Sequence, residues 1–309
     1  MTELSEKILS AYQVRKTKKQ KTDFIEFMKS RIPDLRVEEG GLLKSRNLIV
    51  GDVKSARVVL SAHYDTCAGL PFPNLIAPKN MLITLLYSLL ITLPFLLLMV
   101  GVNILMQYLT NSFSLAYWTS LFVFLASYFG VFLAGPANSH TVNDNTSGVI
   151  TLCEMIRICR EKGISDVAFV FFDHEETGLF GSSYFRKLHK REMKGKLLIN
   201  FDCVSDGDHI LFVLNQPAND LHLERLRASL PKTDAKTAHL EKSSNTFYPS
   251  DQMGFHTAMA VSAMKKSRFF GLYLDRIHTK KDTVMDETNI ADICEGMERF
   301  LAEICAKNA

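Results

Sequence analysis

The chain has 309 residues, 47% of them apolar, and a formal net charge of +3. This length supports one large domain or two small ones with a substantial core, and so small a positive balance argues against nucleic acid as a partner. Six cysteines (Cys67, Cys153, Cys159, Cys203, Cys294, Cys305) form no CxxC pair, which points to free thiols in a reducing compartment and away from a disulfide framework.

The first residues, MTELSEKILSAYQVRKTKK, are charged and lack the apolar segment of a signal peptide. Leu4, Ile8 and Tyr12, then Phe24, Phe27 and Met28, recur at helical spacing and predict one or two amphipathic helices over 4–31, before Pro33. Within them RKTKKQK places five cationic residues in seven (15–21), readable as a solvated helix face or as a contact for anionic lipid headgroups. NLIV (47–50) and ARVVLSAHYD (56–65) have the β-branched composition of strands.

From 81 to 139 there is no Asp, Glu, Lys or Arg. NSFS (111–114) divides this run into segments at 81–110 and 115–135, each longer than the ~20 residues needed to cross the hydrocarbon core. The reading is a transmembrane hairpin over 80–136, inserted between the two parts (1–79 and 137–309) of one domain; a buried helical pair or a greasy oligomer contact is the alternative. Polar sequence then resumes, with a helix over 147–161, a strand at 167–173, a helix over 178–192 and strands at 196–204 and 209–214. A helix near 218–229, a strand at 268–274 and an amphipathic helix over 289–307 complete the chain. This alternation predicts an α/β fold with a mixed, largely parallel central sheet flanked by helices, whose site lies at the carboxyl ends of the strands.

Polar residues gather where the predicted strands end. His63 and Asp65 lie two apart, so on a strand they share a side; Asp144 precedes a helix, Glu175 and Glu176 follow VFFDH, Asp202 ends INFD, and His278 follows FFGLYLDRI. Singly, each is ordinary: an aspartate before a helix is usually a cap. Carboxylates crowded at one sheet edge repel unless cations neutralise them, and two histidines with three carboxylates suit two zinc ions. Two Zn²⁺, three carboxylates and one hydroxide also balance in charge.

The stretches SAHYDT, NDNTSGV, FFDHEETGLFGS, NFDCV, YPSDQMGF and IHTKKDT, in that order, resemble the co-catalytic dizinc metallopeptidase family of bacterial leucyl aminopeptidases, glutamate carboxypeptidase and glutaminyl cyclases. The resemblance implies that His63 and His278 each bind one zinc, that Asp144 bridges the two, and that Glu176 and Asp202 complete one ion each. It makes Glu175 the general base, Asp65 a carboxylate that orients its neighbours, and Tyr248 an oxyanion donor. Other divalent transition metals fit the same donors. Two features depart from the family: His174 stands where a small residue is usual, and the loop between His63 and Asp144 carries the apolar hairpin. Cys67 and Cys203, beside these stretches, read as small buried hydrophobes.

The implied function is a membrane-anchored exopeptidase acting on peptides, foremost an aminopeptidase. A carboxypeptidase or N-acyl amidase on the same site, and an inactive receptor or scaffold on the fold, are the alternatives. All 36 Lys and Arg lie outside the hairpin, which favours a cytoplasmic catalytic domain. Substrate would reach the site along the membrane surface, and Gly101, Gly130 and Gly135 would let hairpins of two protomers approach closely.

Overall fold

The computed structural model describes residues 1–231 and 235–306. It begins with two helices started by threonine caps, α1 (Glu3–Ala11) and α2 (Lys18–Arg31), the second closed by a reciprocal Thr17–Gln20 capping box. Strands β1 (Arg36–Gly40), β2 (Ser45–Val50) and β3 (Val58–His63) follow, then the apolar helices α3 (Met81–Thr110) and α4 (Phe113–Phe132). A kinked turn, Val142–Ser147, in which Asp144 and Asn145 are not helical, leads into α5 (Gly148–Lys162), followed by β4 (Val167–Phe172), α6 (Phe180–Leu188), β5 (Leu197–Phe201) and β6 (His209–Leu214). The remaining elements are α7 (Gln216–Ser229), β7 (Thr237–Lys242), β8 (Ala258–Ser267), β9 (Gly271–Tyr273) and α8 (Glu287–Cys305).

Among the described residues the strands form one sheet in the order β1-β2-β4-β3-β5-β8-β6-β7, with β9 paired to β8. Its centre, β4-β3-β5-β8, is parallel, while β2 joins β4 and β6 joins β8 in antiparallel fashion. Parallel strands covered on both faces are apolar throughout, and every residue of β3 and β5 is buried. Alternation divides β3 between two cores. Val58, Leu60 and Ala62 pack with Phe24, Val149 and Phe300 from the helices on one face, and Val59 packs with Phe172 and Phe185 on the other. The predicted fold class is thus observed, with corrections to its strands: β1, β7 and β8 fall where none is expected. The strand expected over 268–274 is a turn at 268–270 followed by the short β9, which starts at Gly271 (φ 72°); the long central β8 lies wholly before it, over residues outside that expectation.

Helices α3 and α4 stand outside this core. No residue of α3 is buried, and α4 buries only Ala116 and Ser120. They pack on each other through Phe95 against Tyr128 (ring centroids 5.5 Å apart) and through Asn103 Nδ2, which donates to Ser120 Oγ at 3.3 Å. Both are long and apolar enough to cross a membrane, and α3 carries Pro94 within it. A 30-residue helix is roughly 45 Å long, more than a bilayer core requires, so a span here would tilt or extend into the interface.

Candidate metal centre and active site

The parallel register brings the strand ends to one edge. His63 closes β3 opposite Phe172, the last residue of β4, and Ser61 pairs with Asn200 one residue before β5 ends. Asn145 stitches these ends together: Nδ2 donates to the Phe201 carbonyl (3.0 Å), and Oδ1 accepts from the Gly148 and Cys203 amides. A Cβ on Gly148 would stand 2.5 Å from the Phe201 carbonyl oxygen, so this close approach requires glycine. The peptide joining Asp144 to Asn145 is cis.

His63, Asp144, Asp202, Glu176 and His278, far apart in sequence, meet at this edge. His63 Nε2 lies 3.3 Å from Asp144 Oδ1 and 3.6 Å from Asp202 Oδ1, and its Nδ1 is 3.1 Å from the Asp65 carbonyl. His278 Nε2 lies 2.9 Å from Asp144 Oδ2 and 3.2 Å from Glu176 Oε2. Asp144 therefore turns one oxygen to each histidine. Donor atoms of His63, Asp144 and Asp202 lie within 4.8 Å of one another, as do those of Cys67, Glu176 and His278.

The carboxylates dominate the electrostatics. Against the cost of burial, Glu175 and hydrogen bonds to Asp144, Asp202 and Asp65 raise the His63 pKa well above its ordinary value. Glu176 and Asp144 do the same for His278, also against burial. Burial, reinforced by Glu176, Asp251 and Asp202, lifts Glu175 well above the carboxylate range although His63 opposes it. The cluster thus draws protons as it would draw cations. Its donor set of imidazoles and carboxylates is what zinc takes, and one buried oxygen, Glu176 Oε1, has no hydrogen-bond partner. The residues fit a two-metal centre.

Asp65 orients rather than joins this cluster. Its carboxylate accepts from the Glu175 amide (3.0 Å) and the Glu176 amide (3.2 Å), so the end of β3 fixes the turn after β4. Behind that turn Asp173 accepts from Lys21 Nζ (2.6 Å) and from the Arg46 and His174 amides. His174, in the left-handed region at φ 57°, points away from the donor groups: Nε2 meets Lys21 Nζ (2.9 Å) and Nδ1 meets Ser45 Oγ (3.0 Å). Tyr248 is buried beneath the site, its hydroxyl donating to the Asp202 carbonyl (3.2 Å) and lying 3.2 Å from Ser262 Oγ.

Three more side chains complete the surroundings. Arg15, fully buried with its pKa lowered to about 10 by burial, donates through Nε to the Tyr64 carbonyl (2.5 Å) and through Nη1 to Thr146 Oγ1 (3.1 Å) and the Tyr12 carbonyl. With Lys21 it turns the basic run inward, so neither the solvated-face nor the lipid reading describes these two residues. Asp282 accepts from the Asn143 (2.7 Å) and Asp144 (3.1 Å) amides, and burial beside Asp144 raises it to about 8. Asp251 is fully buried with neither oxygen hydrogen-bonded, and burial raises it to about 7. Both aspartates fall in stretches that stand out in the sequence (YPSDQMGF and IHTKKDT), but only the fold places them here.

The model of peptidase family M28 matches residues 127–300. The chain belongs to this family. His63 and Asp65 precede the matched region, and it is the sheet that carries them to the residues within it. A probable leucine aminopeptidase 2 of Aspergillus fumigatus is 33% identical over 105 residues, 30% of this chain and only 20% of that protein. The LapA aminopeptidase of Legionella pneumophila superposes with TM-score 0.57 at 14% identity over 99% of this chain and 71% of its own. Glutaminyl cyclase of Porphyromonas gingivalis does so with TM-score 0.57 at 13% identity over 97% and 96%. At such identities these structures share the fold with the M28 chain; what each acts on belongs to it alone.

Proposed function

We propose that this M28 protein is a zinc-dependent, membrane-anchored exopeptidase, foremost an aminopeptidase, with a two-metal centre at the carboxyl edge of its sheet. The observation that carries the reading is Asp144, whose two oxygens face His63 and His278, the heads of two donor groups. His63, Asp202 and Asp144 would hold one ion, and His278, Glu176 and Asp144 the other. Zinc bound there supplies the Lewis acidity that activates water and polarises a scissile carbonyl.

The chain's own residues do the rest. Glu175, whose proton affinity is raised by burial among carboxylates, takes the proton of the attacking water and returns it to the leaving amine. Asp65 holds the Glu175 and Glu176 amides and so fixes the turn that carries both glutamates, whose carboxylates come within 4.8 Å of His63. Asp282 fixes the backbone of the bridging aspartate. With its hydroxyl engaged at the Asp202 carbonyl, Tyr248 is assigned a supporting role beneath Asp202 in place of the oxyanion role.

Residues 80–136 are assigned to a transmembrane hairpin dividing the catalytic domain into 1–79 and 137–309, with that domain cytoplasmic because every Lys and Arg lies outside the hairpin. Their departure beside His63 and return before Asp144 would bring substrate peptides along the membrane surface. A Cβ added to Gly101 or Gly130 would meet nothing within 4 Å, which leaves room for a second hairpin.

The test is purification in detergent from carbonate-washed membranes, metal analysis, and peptide-library digestion read by mass spectrometry. Trimming from the amino end is expected, with about two zinc ions per chain. Glu175→Gln should retain the metal and lose at least ~100-fold in turnover, the scale of general acid–base catalysis. An undiminished variant removes Glu175 from its role, and trimming from the carboxyl end makes the protein a carboxypeptidase.

A further inference from the structure

Cys67 lies four residues beyond His63 and is buried, with 4% of its surface exposed. Its position is fixed on both sides. Its carbonyl accepts from the Asn138 amide at 3.2 Å, and the next residue, Ala68, bridges to Ala137. Its sulfur lies within 4.8 Å of donor atoms of both Glu176 and His278. Those are the two residues of the second donor group that Asp144 does not itself supply. The same group holds a second observation that points to a ligand: Glu176, with only 7% of its side chain exposed, leaves Oε1 without a hydrogen-bond partner.

We propose that the Cys67 sulfur is a direct ligand of the metal ion held by Glu176 and His278. The inference rests on the two-metal reading of the site and adds to it an unequal pair. The ion at His63, Asp144 and Asp202 has nitrogen and oxygen donors, whereas its neighbour has nitrogen, oxygen and sulfur. Binding converts the thiol to thiolate: the sulfur–metal bond forms, the S–H bond breaks heterolytically, and the proton leaves to water. Nothing is oxidised or reduced. A thiolate favours zinc or cobalt(II) over magnesium, calcium or manganese, so this second position should be the more selective one. A sulfur ligand also leaves less of that ion's Lewis acidity for substrate. The softer ion is therefore suited to holding a peptide's free amine, and the harder one to the carbonyl.

The contrast is between a ligand and a small buried hydrophobe, and cobalt distinguishes them without an activity assay. The full chain in detergent, stripped of metal, is titrated with Co²⁺ and followed by absorption. Wild type should show visible d–d bands for both ions and, with one of them, a near-ultraviolet band of sulfur-to-cobalt charge transfer. Cys67→Ser, the closest in shape, should keep the d–d bands and lose the charge-transfer band entirely. The other five cysteines serve as internal controls because they remain in the variant. Visible bands with no charge-transfer band in wild type, or a charge-transfer band that survives in Cys67→Ser, overturns the assignment while leaving the two-metal reading in place. Absence of all cobalt bands in wild type overturns both. As a second measurement, alkylation of Cys67 read by mass spectrometry should slow at least ~10-fold on zinc loading; equal rates with and without zinc also overturn the ligand role.

Discussion

Replacing Asp65 by Asn tests how far the site depends on a residue that is not assigned to the metals. The Asp65 carboxylate accepts two backbone hydrogen bonds, at 3.0 Å from Glu175 and 3.2 Å from Glu176. Hydrogen bonds to a charged group contribute ~1.5–3 kcal/mol each. Asn keeps one carbonyl acceptor but turns an NH₂ toward the second amide, so one bond is lost and two donors are opposed. The expected cost is about 2–4 kcal/mol, which at ~2–4 °C per kcal/mol for a domain of this size lowers Tm by roughly 5–15 °C. The charge change also weakens the support of His63, whose Nδ1 lies 3.7 Å from Asp65 Oδ1. Outer partners of metal ligands typically tune affinity 10–100-fold, so zinc affinity should fall within that range. Competition with a chromophoric chelator measures the affinity, and thermal unfolding of the metal-free protein measures the stability term separately. If Asp65→Asn binds zinc within threefold of wild type and unfolds at the same temperature, the coupling between the β3 end and the Glu175–Glu176 turn is refuted.

Two further predictions concern groups outside the cluster. Arg15→Met removes a buried guanidinium and leaves the Tyr64 and Tyr12 carbonyls and Thr146 Oγ1 without this donor, so at ~1–3 kcal/mol for each acceptor left unpaired it should cost about 3 kcal/mol or more in denaturant unfolding; a cost below ~1 kcal/mol would show that Arg15 does not join these segments. His189 sits between Glu38 (2.8 Å) and Glu192 (2.5 Å), and hydrogen bonding to Glu38 foremost raises its pKa. A raised folded-state pKa stabilises fully below the unfolded value of ~6.5 and loses that contribution as pH climbs through the folded value. The urea midpoint of His189→Gln should therefore fall furthest below wild type near pH 6 and approach it by pH 9; a pH-independent difference would remove the charge from the account.

Where the sequence is readable, a local pattern and a chemical need coincide. The apolar runs of β3 and β5 lead directly into His63 and Asp202, and that of β4 reaches Glu175–Glu176 after only Asp173 and His174, so strand and site are legible together. β8 is not. Its buried half, AMAVSAM, is built from small residues and methionine with one valine, and such a strand is held by its neighbours more than by its own propensity. The apolar RFFGLYL beyond it attracts the assignment instead, although 268–270 form the turn. The edge strands β1 (RVEEG) and β7 (TAHLEK) are polar and exposed enough to read as loop. The basic run is deceptive for another reason. Besides the Tyr12 and Tyr64 carbonyls that hold Arg15, the partners that draw Arg15 and Lys21 inward include Thr146 and Asp173, more than a hundred residues away, and no local pattern announces these.

The insertion between His63 and Asp144 is compatible with a preorganised site because its two ends meet in a neck. Ala68 bridges to Ala137, and the Gly69 amide donates to the Pro136 carbonyl at 2.9 Å. Lys16 Nζ holds the Leu133 carbonyl at 2.6 Å, and Asn138 Nδ2 donates to the Thr279 carbonyl at 3.0 Å, next to His278. Once the neck is closed, length beyond it matters little: each doubling of a loop costs only ~0.6 kcal/mol, so a hairpin in place of a short turn adds about 2 kcal/mol before its own packing is counted. Length is therefore insulated from the site, but orientation is not. Cys67 is the residue before the bridge and Asn138 the one after it, so a change in hairpin tilt acts first on the Glu176–His278 side of the site. On the proposed reading, a bilayer that changed the tilt of α3 and α4 would act through Cys67 and Asn138 on the Glu176–His278 side before the His63–Asp202 side.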